Sequence, residues 1–309
     1  MITVLAAPPL LTVQDQGRPG ARASGVPVAG AMDPLALAAA NLLVGNPPDA
    51  AGLEWALGGG SIRFERAAWF ALGGATAPAR LEGVPVAPGL AHVATPGSVL
   101  EIGQFTSGTF LYVALEGGID VPVVLGSRST YLPARLGGLE GRRLRAGDRL
   151  PLGPRGAGPG SGPVLRERAA PGEPVPLLRG PAADLLDAAG WEQLLGAEFR
   201  VTASVSRMGY RLEGPALACH AASDRVSEPT VPGAVQVPPG GQPIILMADG
   251  PTIGGYPHVA VIPRLDLGRV AQLRPGESLR FALITTEQAR HRLRDTWREL
   301  HTPPLATDR

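Results

Sequence analysis

Carboxylates, arginines, amides and a few phenols lie beside glycine-rich turns in both halves of this 309-residue chain. An arginine fork binds carboxylate, carbonyl or phosphate oxygens through paired hydrogen bonds, and an aspartate accepts amide N–H groups. Such a set suits a small amide or ureido ligand better than an apolar one, although each residue alone also fits a turn or an ion pair. The candidate site residues are Asp15, Asp33, Asn41, Glu54, Arg128, Arg207, Tyr210, Gln236, Asp249, Thr252 and Tyr256.

Several common chemistries have no motif in the sequence. There is no GxSxG nucleophile turn, no GxGxxG dinucleotide loop, and no HExxH or similar spacing among the five histidines. All 28 basic residues are arginine, so the chain has no phosphate-loop lysine, no Schiff-base lysine and no lysine to carry biotin. Cys219 is the one cysteine, which excludes an intrachain disulfide and a cysteine-rich metal site. We therefore expect no bound metal.

Residues 243–261 position part of the candidate set. Apolar residues at 244–247 predict a buried strand, and β-branched residues at 259–262 predict another. Between them lie an Asp-Gly-Pro turn beginning at Asp249 and a further glycine pair, a composition that lets backbone approach a ligand. A β-hairpin with a long loop is the alternative that needs no ligand. His258 lies beside this turn, and a structural hydrogen bond is its plainer role.

The elements predicted around this set are short strands and few helices. The 42 glycines and 33 prolines interrupt the chain too often for long helices. A helix is predicted at residues 35–44, with Asp33 as N-cap and Pro34 at its first position. A terminal helix is predicted after a capping box of Thr285 and Gln288. Strands are predicted at 10–13, 53–57, 61–64, 68–72, 99–102, 110–115, 175–178, 199–205 and 280–285, and helical turns at 182–189 and 191–195.

Length, charge and hydropathy limit the number of domains and the kinds of partner that we expect. The length allows one large or two ordinary domains, and the proline- and glycine-rich segment 151–176 predicts a linker between domains 1–160 and 161–309. The net charge of +1 indicates no nucleic-acid partner. No apolar run reaches the ~18 residues of a membrane span, and the N-terminal stretch is typical of a strand rather than a signal peptide. We expect a cytoplasmic protein without a membrane partner.

Motifs in order from about Thr12 to Phe281 carry a resemblance to a known family. They are QDQGRPG, GVPVAGAMDP, AANLLVGN, LEWALGG, EGGID, LGSRST, GGLEGRRLRAGD, SRMGYRLEGP, GAVQVPPGGQPIILMADGPTIGGYP and AQLRPGESLRF. On these motifs the chain resembles the biotin-dependent carboxyltransferase family, also known as allophanate hydrolase subunit 2, which includes the C subunit of bacterial 5-oxoprolinase. The resemblance implies a mainly β fold, with two cyclophilin-like β-barrel domains, a few short helices and a C-terminal helix.

For function, the resemblance implies a component of a multi-subunit enzyme. In stand-alone bacterial members the similar protein works with the A and B subunits to open 5-oxoproline to glutamate at the expense of ATP. In urea carboxylase the similar domain takes a carboxyl group from biotin on another domain and passes it to urea. GAVQVPPGGQP and GGYP are closer to the stand-alone members, whereas ADGPTIGG also resembles the urea carboxylase version.

We therefore expect the C subunit of an ATP-dependent 5-oxoprolinase, with the B subunit as its direct partner and the A subunit to complete the complex. The cofactor implied is ATP with Mg in the assembled complex, and biotin only under the alternative of carboxyl transfer from a separate carrier. Because the sequence has no phosphate loop, ATP is expected to bind elsewhere or at a boundary between subunits. A second alternative is a non-catalytic scaffold, or a regulator of a kinase-inhibitor partner.

The mechanistic hypothesis divides the set into two roles. Asp33 and Asp249 would hold N–H groups of a small cyclic amide, and Arg128 and Arg207 would hold its carboxylate or the developing oxyanion. The other candidates would bind the substrate. This hypothesis requires side chains from both halves of the chain to converge on one cleft.

Overall fold

The computed structural model describes residues 1–156, 158–159, 172–219 and 226–301. Of the residues that the structure describes, 34% are in strands and 19% in helices, which confirms the predicted mainly β fold. Contacts divide it into two compact units. Unit 1 comprises the described residues of Met1–Arg18, Asp33–Arg166 and Asp295–Arg309, and unit 2 those of Pro19–Met32 and Glu167–Arg294.

The predicted domain limits, 1–160 and 161–309, stay a prediction. The division into two units differs from them in one respect. Residues 19–32 group with the second unit although they precede most of the first. The linker predicted at 151–176 lies largely outside the described residues.

Unit 1 contains two antiparallel sheets. Its strands are β1 (Ile2–Ala6), β2 (Leu10–Gln14), β3 (Gly52–Ala56), β4 (Gly60–Phe64), β5 (Ala68–Thr76), β6 (Ala79–Leu81), β7 (Val84–Pro85), β8 (Ala91–Ala94), β9 (Val99–Ile102), β10 (Ser107–Leu115) and β11 (Arg149–Leu150). One sheet has the order β11-β1-β4-β9-β6-β7, and the other has the order β2-β3-β10-β5-β8. Strand alternation sends Leu11, Trp55 and Val113 into the core.

The opposite face of the second sheet carries polar residues and one helix. Thr12, Glu54 and Tyr112 lie side by side there, because Glu54 pairs with Thr12 on β2 and with Tyr112 on β10. Helix α1 (Pro34–Leu43) packs on the same sheet. Gly73 permits this approach, since a Cβ there would lie 2.7 Å from the carbonyl oxygen of Ala36.

Helix α1 confirms the predicted cap. The Asp33 carboxylate accepts a hydrogen bond from the amide of Ala36 at 3.2 Å, and Pro34 occupies the first helical position. The helix ends at Leu43, one residue before the predicted limit.

Unit 2 is built on an eight-stranded, nearly closed barrel sheet. The strands of the unit are β12 (Val175–Arg179), β13 (Phe199–Val205), β14 (Gly209–Glu213), β15 (Glu228–Pro229), β16 (Ala234–Gln236), β17 (Ile244–Leu246), β18 (Ile253–Gly254), β19 (His258–Val261), β20 (Ser278–Leu279) and β21 (Phe281–Leu283). The barrel order is β20-β13-β14-β17-β16-β19-β12-β21, and β15 pairs separately with β18.

The hairpin interpretation of residues 243–261 is wrong. Both predicted strands exist as β17 and β19, but β16 lies between them and pairs with each. Because both are antiparallel to β16, β17 and β19 run parallel to each other, and the segment between them crosses from one side of β16 to the other. Part of this segment, β18, pairs with β15.

Three further helices occur in the described residues: α2 (Ala188–Gly196), α3 (Arg264–Ala271) and α4 (Thr286–His301). The capping box of α4 is confirmed, since Thr285 Oγ1 accepts from the amide of Gln288 at 3.1 Å and Gln288 Oε1 accepts from the amide of Thr285 at 2.8 Å. None of the described helices is long and apolar enough to cross a membrane.

Candidate functional site

Asp15 is the centre of a buried hydrogen-bond network in unit 1. Asp15 directly follows β2. Its Oδ1 accepts hydrogen bonds from the hydroxyls of Ser127 and Ser129, both at 2.6 Å, and from the amide of Gly17 at 2.8 Å. Its Oδ2 accepts from the amide of Arg128 at 2.6 Å. Four donors saturate most of the lone pairs of one carboxylate, so Asp15 fixes the conformation of the 127–129 segment.

Arg128 is held by this segment but directs its guanidinium outward. Nη2 donates to Asp120 Oδ1 at 2.7 Å, and Nε donates to the carbonyl of Val121 at 2.9 Å. The side chains of Arg128 and Asp120 are 36% and 54% exposed, so water screens the pair and it contributes little to stability. A ligand carboxylate could replace Asp120 at low cost.

Arg18 donates hydrogen bonds to backbone carbonyls in and just before the same segment. It is fully buried, with Nε donating to the carbonyl of Val124 at 3.2 Å and Nη2 donating to the carbonyl of Ser129. A buried arginine that binds backbone carbonyls supports loop geometry rather than ligand binding.

Glu54, Tyr112 and Asp33 form a buried chain beneath the start of α1. The Tyr112 hydroxyl donates to Glu54 Oε2 at 2.8 Å and accepts from the amide of Asp33 at 2.7 Å. Burial, with the negative charges of Glu54 and Asp33, raises the pKa of Tyr112 well above its usual value. Sequence reasoning missed Tyr112, and its one signal was a hydroxyl within an otherwise apolar run.

Asn41 serves the end of its own helix. Its Nδ2 donates to the carbonyl of Ala50 at 2.7 Å, and its Oδ1 accepts from Asn46 Nδ2 at 3.1 Å. Both bonds fix the loop between α1 and β3, which is a structural role for a residue predicted to bind substrate.

Arg207 and Asp249 form a buried, bidentate ion pair in unit 2. Nε lies 2.9 Å from Oδ2 and Nη2 lies 2.8 Å from Oδ1, while the Asp249 amide donates to the Arg207 carbonyl at 2.8 Å. Nη2 also donates to the carbonyl of Gly30 at 2.7 Å. The pair orients the Asp249 carboxylate within the interior of unit 2, where each Asp249 oxygen retains a second lone pair.

Arg22 anchors the segment that follows Asp249. Its Nη2 donates to the carbonyls of Thr230 and Pro251, at 2.9 and 2.7 Å, and to the Thr230 hydroxyl at 2.7 Å. The Thr252 carbonyl accepts from the amide of Thr230 at 2.9 Å, while Tyr256 is exposed. Burial lowers the pKa of Arg22. Its signal in the sequence, an arginine among glycines and alanines, was not used.

Gln236 and Tyr210 are both buried in the barrel of unit 2. Gln236 Nε2 donates to His258 Nε2 at 2.8 Å, so that ring nitrogen carries no proton. The Tyr210 hydroxyl donates to the carbonyl of Ala271 at 2.9 Å. The structural interpretation of His258 is supported by its burial and by this bond.

The structure thus assembles candidates in three groups, two in unit 1 and one in unit 2. In unit 1 they are Asp33 with Glu54, and Asp15 with Arg128; in unit 2 they are Arg207 with Asp249. The predicted convergence of Asp33 with Arg207 and Asp249 stays a prediction, because these residues belong to different units.

Two other features of the described chain bear on ligand binding. Its His, Cys, Asp and Glu side chains form no group of three that could hold a metal ion. An open cavity of about 440 Å³ lies at α2, where Asp187, Glu192 and Gln193 line it, and it contains none of the predicted residues.

Comparison with known proteins gives consistent similarities. Residues 24–283 match a family described as carboxyltransferase domain, subdomain A and B. The Escherichia coli K12 protein named as the C subunit of 5-oxoprolinase is 39% identical over 289 residues, covering 94% of this chain and 93% of the relative. The Haemophilus influenzae protein of the same name is 35% identical over 295 residues, with coverage of 94% and 93%.

A solved structure agrees with these sequence matches. The crystal structure of the K. lactis urea amidolyase superposes with a TM-score of 0.90 and 29% identity. The superposition covers 97% of this chain and 20% of the urea amidolyase chain, so this protein spans about a fifth of that larger one.

Proposed function

Because the chain belongs to the family of carboxyltransferase domains with subdomains A and B, we propose that it is the C subunit of an ATP-dependent 5-oxoprolinase. With the A and B subunits, it opens the lactam ring of 5-oxo-L-proline to give L-glutamate. The observation that carries this proposal is coverage of most of both chains: the match to the E. coli relative includes 94% of this chain and 93% of the relative. The urea amidolyase structure matches with only 20% of its length.

The proposed roles follow the chemistry of a lactam. The ring presents an N–H donor, a carbonyl that becomes an oxyanion when attacked, and a carboxylate. Asp33 and Asp249 are the candidate acceptors of the N–H, and Arg128 and Arg207 are the candidate sources of positive charge for the carboxylate and the oxyanion. The bidentate contact with Arg207 orients the Asp249 carboxylate, and each of its oxygens retains a lone pair that can accept a further hydrogen bond.

Mg-ATP does not fit the described residues of this chain. They offer no cluster of metal-binding side chains, and the sequence has no lysine or phosphate loop. We therefore assign ATP binding to the A and B subunits, with the B subunit in direct contact with this chain. None of the roles proposed for this chain's residues involves ATP.

The test is Asp249→Asn in the assembled complex, followed by glutamate formation and ATP hydrolysis. We expect kcat for 5-oxoproline to fall by about 100-fold, as on removal of other electrostatic groups in active sites. Asp266→Asn is the control, because the Asp266 carboxylate is as buried as that of Asp249 and forms a bidentate pair in the same unit, although its partner Arg292 is 38% exposed. Full turnover by the Asp249→Asn complex would remove this aspartate from the mechanism.

Carboxyl transfer is the second candidate, favoured by the superposition on urea amidolyase over 97% of this chain. It requires a biotinylated carrier to bind this chain, which isothermal calorimetry measures directly. The absence of binding, together with oxoprolinase activity of the complex, would retire it. A scaffold without catalysis would instead leave the complex fully active after substitutions at Asp33, Arg207 and Asp249.

A further inference from the structure

The hydroxyl of Tyr112 lies between a carboxylate and a backbone amide inside unit 1. Its oxygen is 2.8 Å from Glu54 Oε2 and 2.7 Å from the amide nitrogen of Asp33. The exposed fractions of Tyr112, Glu54 and Asp33 are 0%, 1% and 2%, so bulk water does not compete for these bonds. The register of β3 and β10 places Glu54 opposite Tyr112, which builds the first contact into the sheet.

Chemistry fixes the direction of this chain of hydrogen bonds. A charged carboxylate only accepts and a backbone amide only donates, so Tyr112 donates to Glu54 and accepts from Asp33. The raised pKa of Tyr112 keeps its proton in place throughout the neutral pH range. Without the hydroxyl, both the Asp33 amide and Glu54 lose this partner in a buried position.

The position of the Asp33 carboxylate depends on where the backbone amide of the same residue is held. Its Oδ1 caps α1 through the amide of Ala36 at 3.2 Å. We propose that Tyr112 and Glu54 are positioning residues, which fix the backbone of Asp33 and through it the carboxylate that accepts the lactam N–H. Glu54, which the sequence assigns to substrate binding, acts through Tyr112 instead. The role of Asp33 rests on the proposed function, whereas the hydrogen-bond chain does not.

The experiment compares Tyr112→Phe with Thr3→Val in the full chain and in the assembled complex. Both variants remove one hydroxyl that donates to a carboxylate in unit 1, since Thr3 Oγ1 donates to Glu65 Oε1 at 2.5 Å. We expect Tyr112→Phe to speed hydrogen exchange at the Asp33 amide about tenfold. In the complex we expect kcat to fall at least ~10-fold with KM within about twofold. Thr3→Val should change neither quantity.

A conservative pair at Glu54 separates positioning from packing. Glu54→Gln keeps an oxygen that accepts from Tyr112, whereas Glu54→Leu does not. The inference therefore expects Glu54→Gln to retain the slow exchange of the Asp33 amide and most of kcat, and Glu54→Leu to lose both. Equal losses in the two Glu54 variants would overturn it.

The two proposals fail in different ways. Parental exchange at the Asp33 amide in Tyr112→Phe overturns the positioning inference regardless of activity. If Tyr112→Phe turns over substrate as fast as the unsubstituted protein while Asp33→Asn is inactive, the positioning inference is also overturned, but the proposed function stands. Parental turnover in Asp33→Asn removes Asp33 from the proposed function and with it the purpose of the positioning. Asn replaces Asp as an N-cap at little cost, so that variant keeps α1.

Discussion

The ion pair of Arg207 and Asp249 predicts a large and specific coupling between two substitutions. The pair is bidentate, with separations of 2.8 and 2.9 Å, and the two side chains are only 7% and 4% exposed. Removing one partner leaves a buried charge without this counter-charge, which costs about 3–5 kcal/mol. Replacing both charges by apolar side chains of similar volume is often neutral or even stabilising.

The variants are Arg207→Met, Asp249→Leu and their combination. We expect each single substitution to lower the free energy of unfolding by about 3–5 kcal/mol, and the double substitution to lower it by far less than the sum of the two. Urea unfolding followed by circular dichroism measures these values, provided that the slope with urea stays constant. Arg200 and Glu213 supply a control cycle, because their pair has a similar distance of 2.9 Å but exposures of 58% and 61%.

The reasoning would be refuted by costs that simply add in the double variant. It would be refuted equally by a coupling no larger than that of the exposed control pair. Either result would mean that water reaches Arg207 and Asp249, and neither could then supply a preorganised charge to a ligand.

Three further predictions concern other sites. Burial and neighbouring carboxylates raise the pKa of Tyr112. Stability should therefore fall as pH rises above about 10, where the Tyr112 hydroxyl ionises in the unfolded chain but not in the folded one. Tyr112→Phe should reduce the tyrosinate absorbance at ~295 nm that appears only on alkaline unfolding. Burial raises the pKa of Asp148, but the hydrogen bonds from Arg142 and the Arg145 amide, together with the charges of both arginines, outweigh it and lower the pKa. Its stabilisation is therefore present above about pH 4 and lost below it, and Asp148→Asn should flatten the acid limb of the stability curve. Thr285→Ala removes half of the capping box shared with Gln288 and should cost about 1 kcal/mol, read as faster hydrogen exchange in the first turn of α4.

Local sequence signals predicted much of the secondary structure. Strands β9 and β13 have the predicted limits of 99–102 and 199–205, and the match over residues 24–283 confirms the family resemblance. Helix α3 was missed because it has eight residues with a glycine inside, and only contacts such as that of Asp266 with Arg292 stabilise it. The position of β16 between β17 and β19 was missed because strand order is a tertiary property.

Site residues could be predicted where they lie in a recognisable turn or helix cap. They were missed where their role depends on which strands pair. Asp33 and Asp249 were selected from turn positions, and the structure places both as buried carboxylates. Tyr112 lies within residues 110–115, whose apolar character predicts only a core strand. Its contact with Glu54 depends on a strand pairing 58 residues apart, which no local pattern contains.

The Asp15 network has a consequence for how the chain is made on the ribosome. Its bond to Ser129 joins residues 114 positions apart, and the bond from Arg207 to Gly30 joins residues 177 apart. At ~5–20 residues per second, about 6 to 35 seconds of translation separate the synthesis of these partners. The earliest polar residues therefore leave the exit tunnel long before their partners exist, and neither unit can close until synthesis has passed well beyond its first strand.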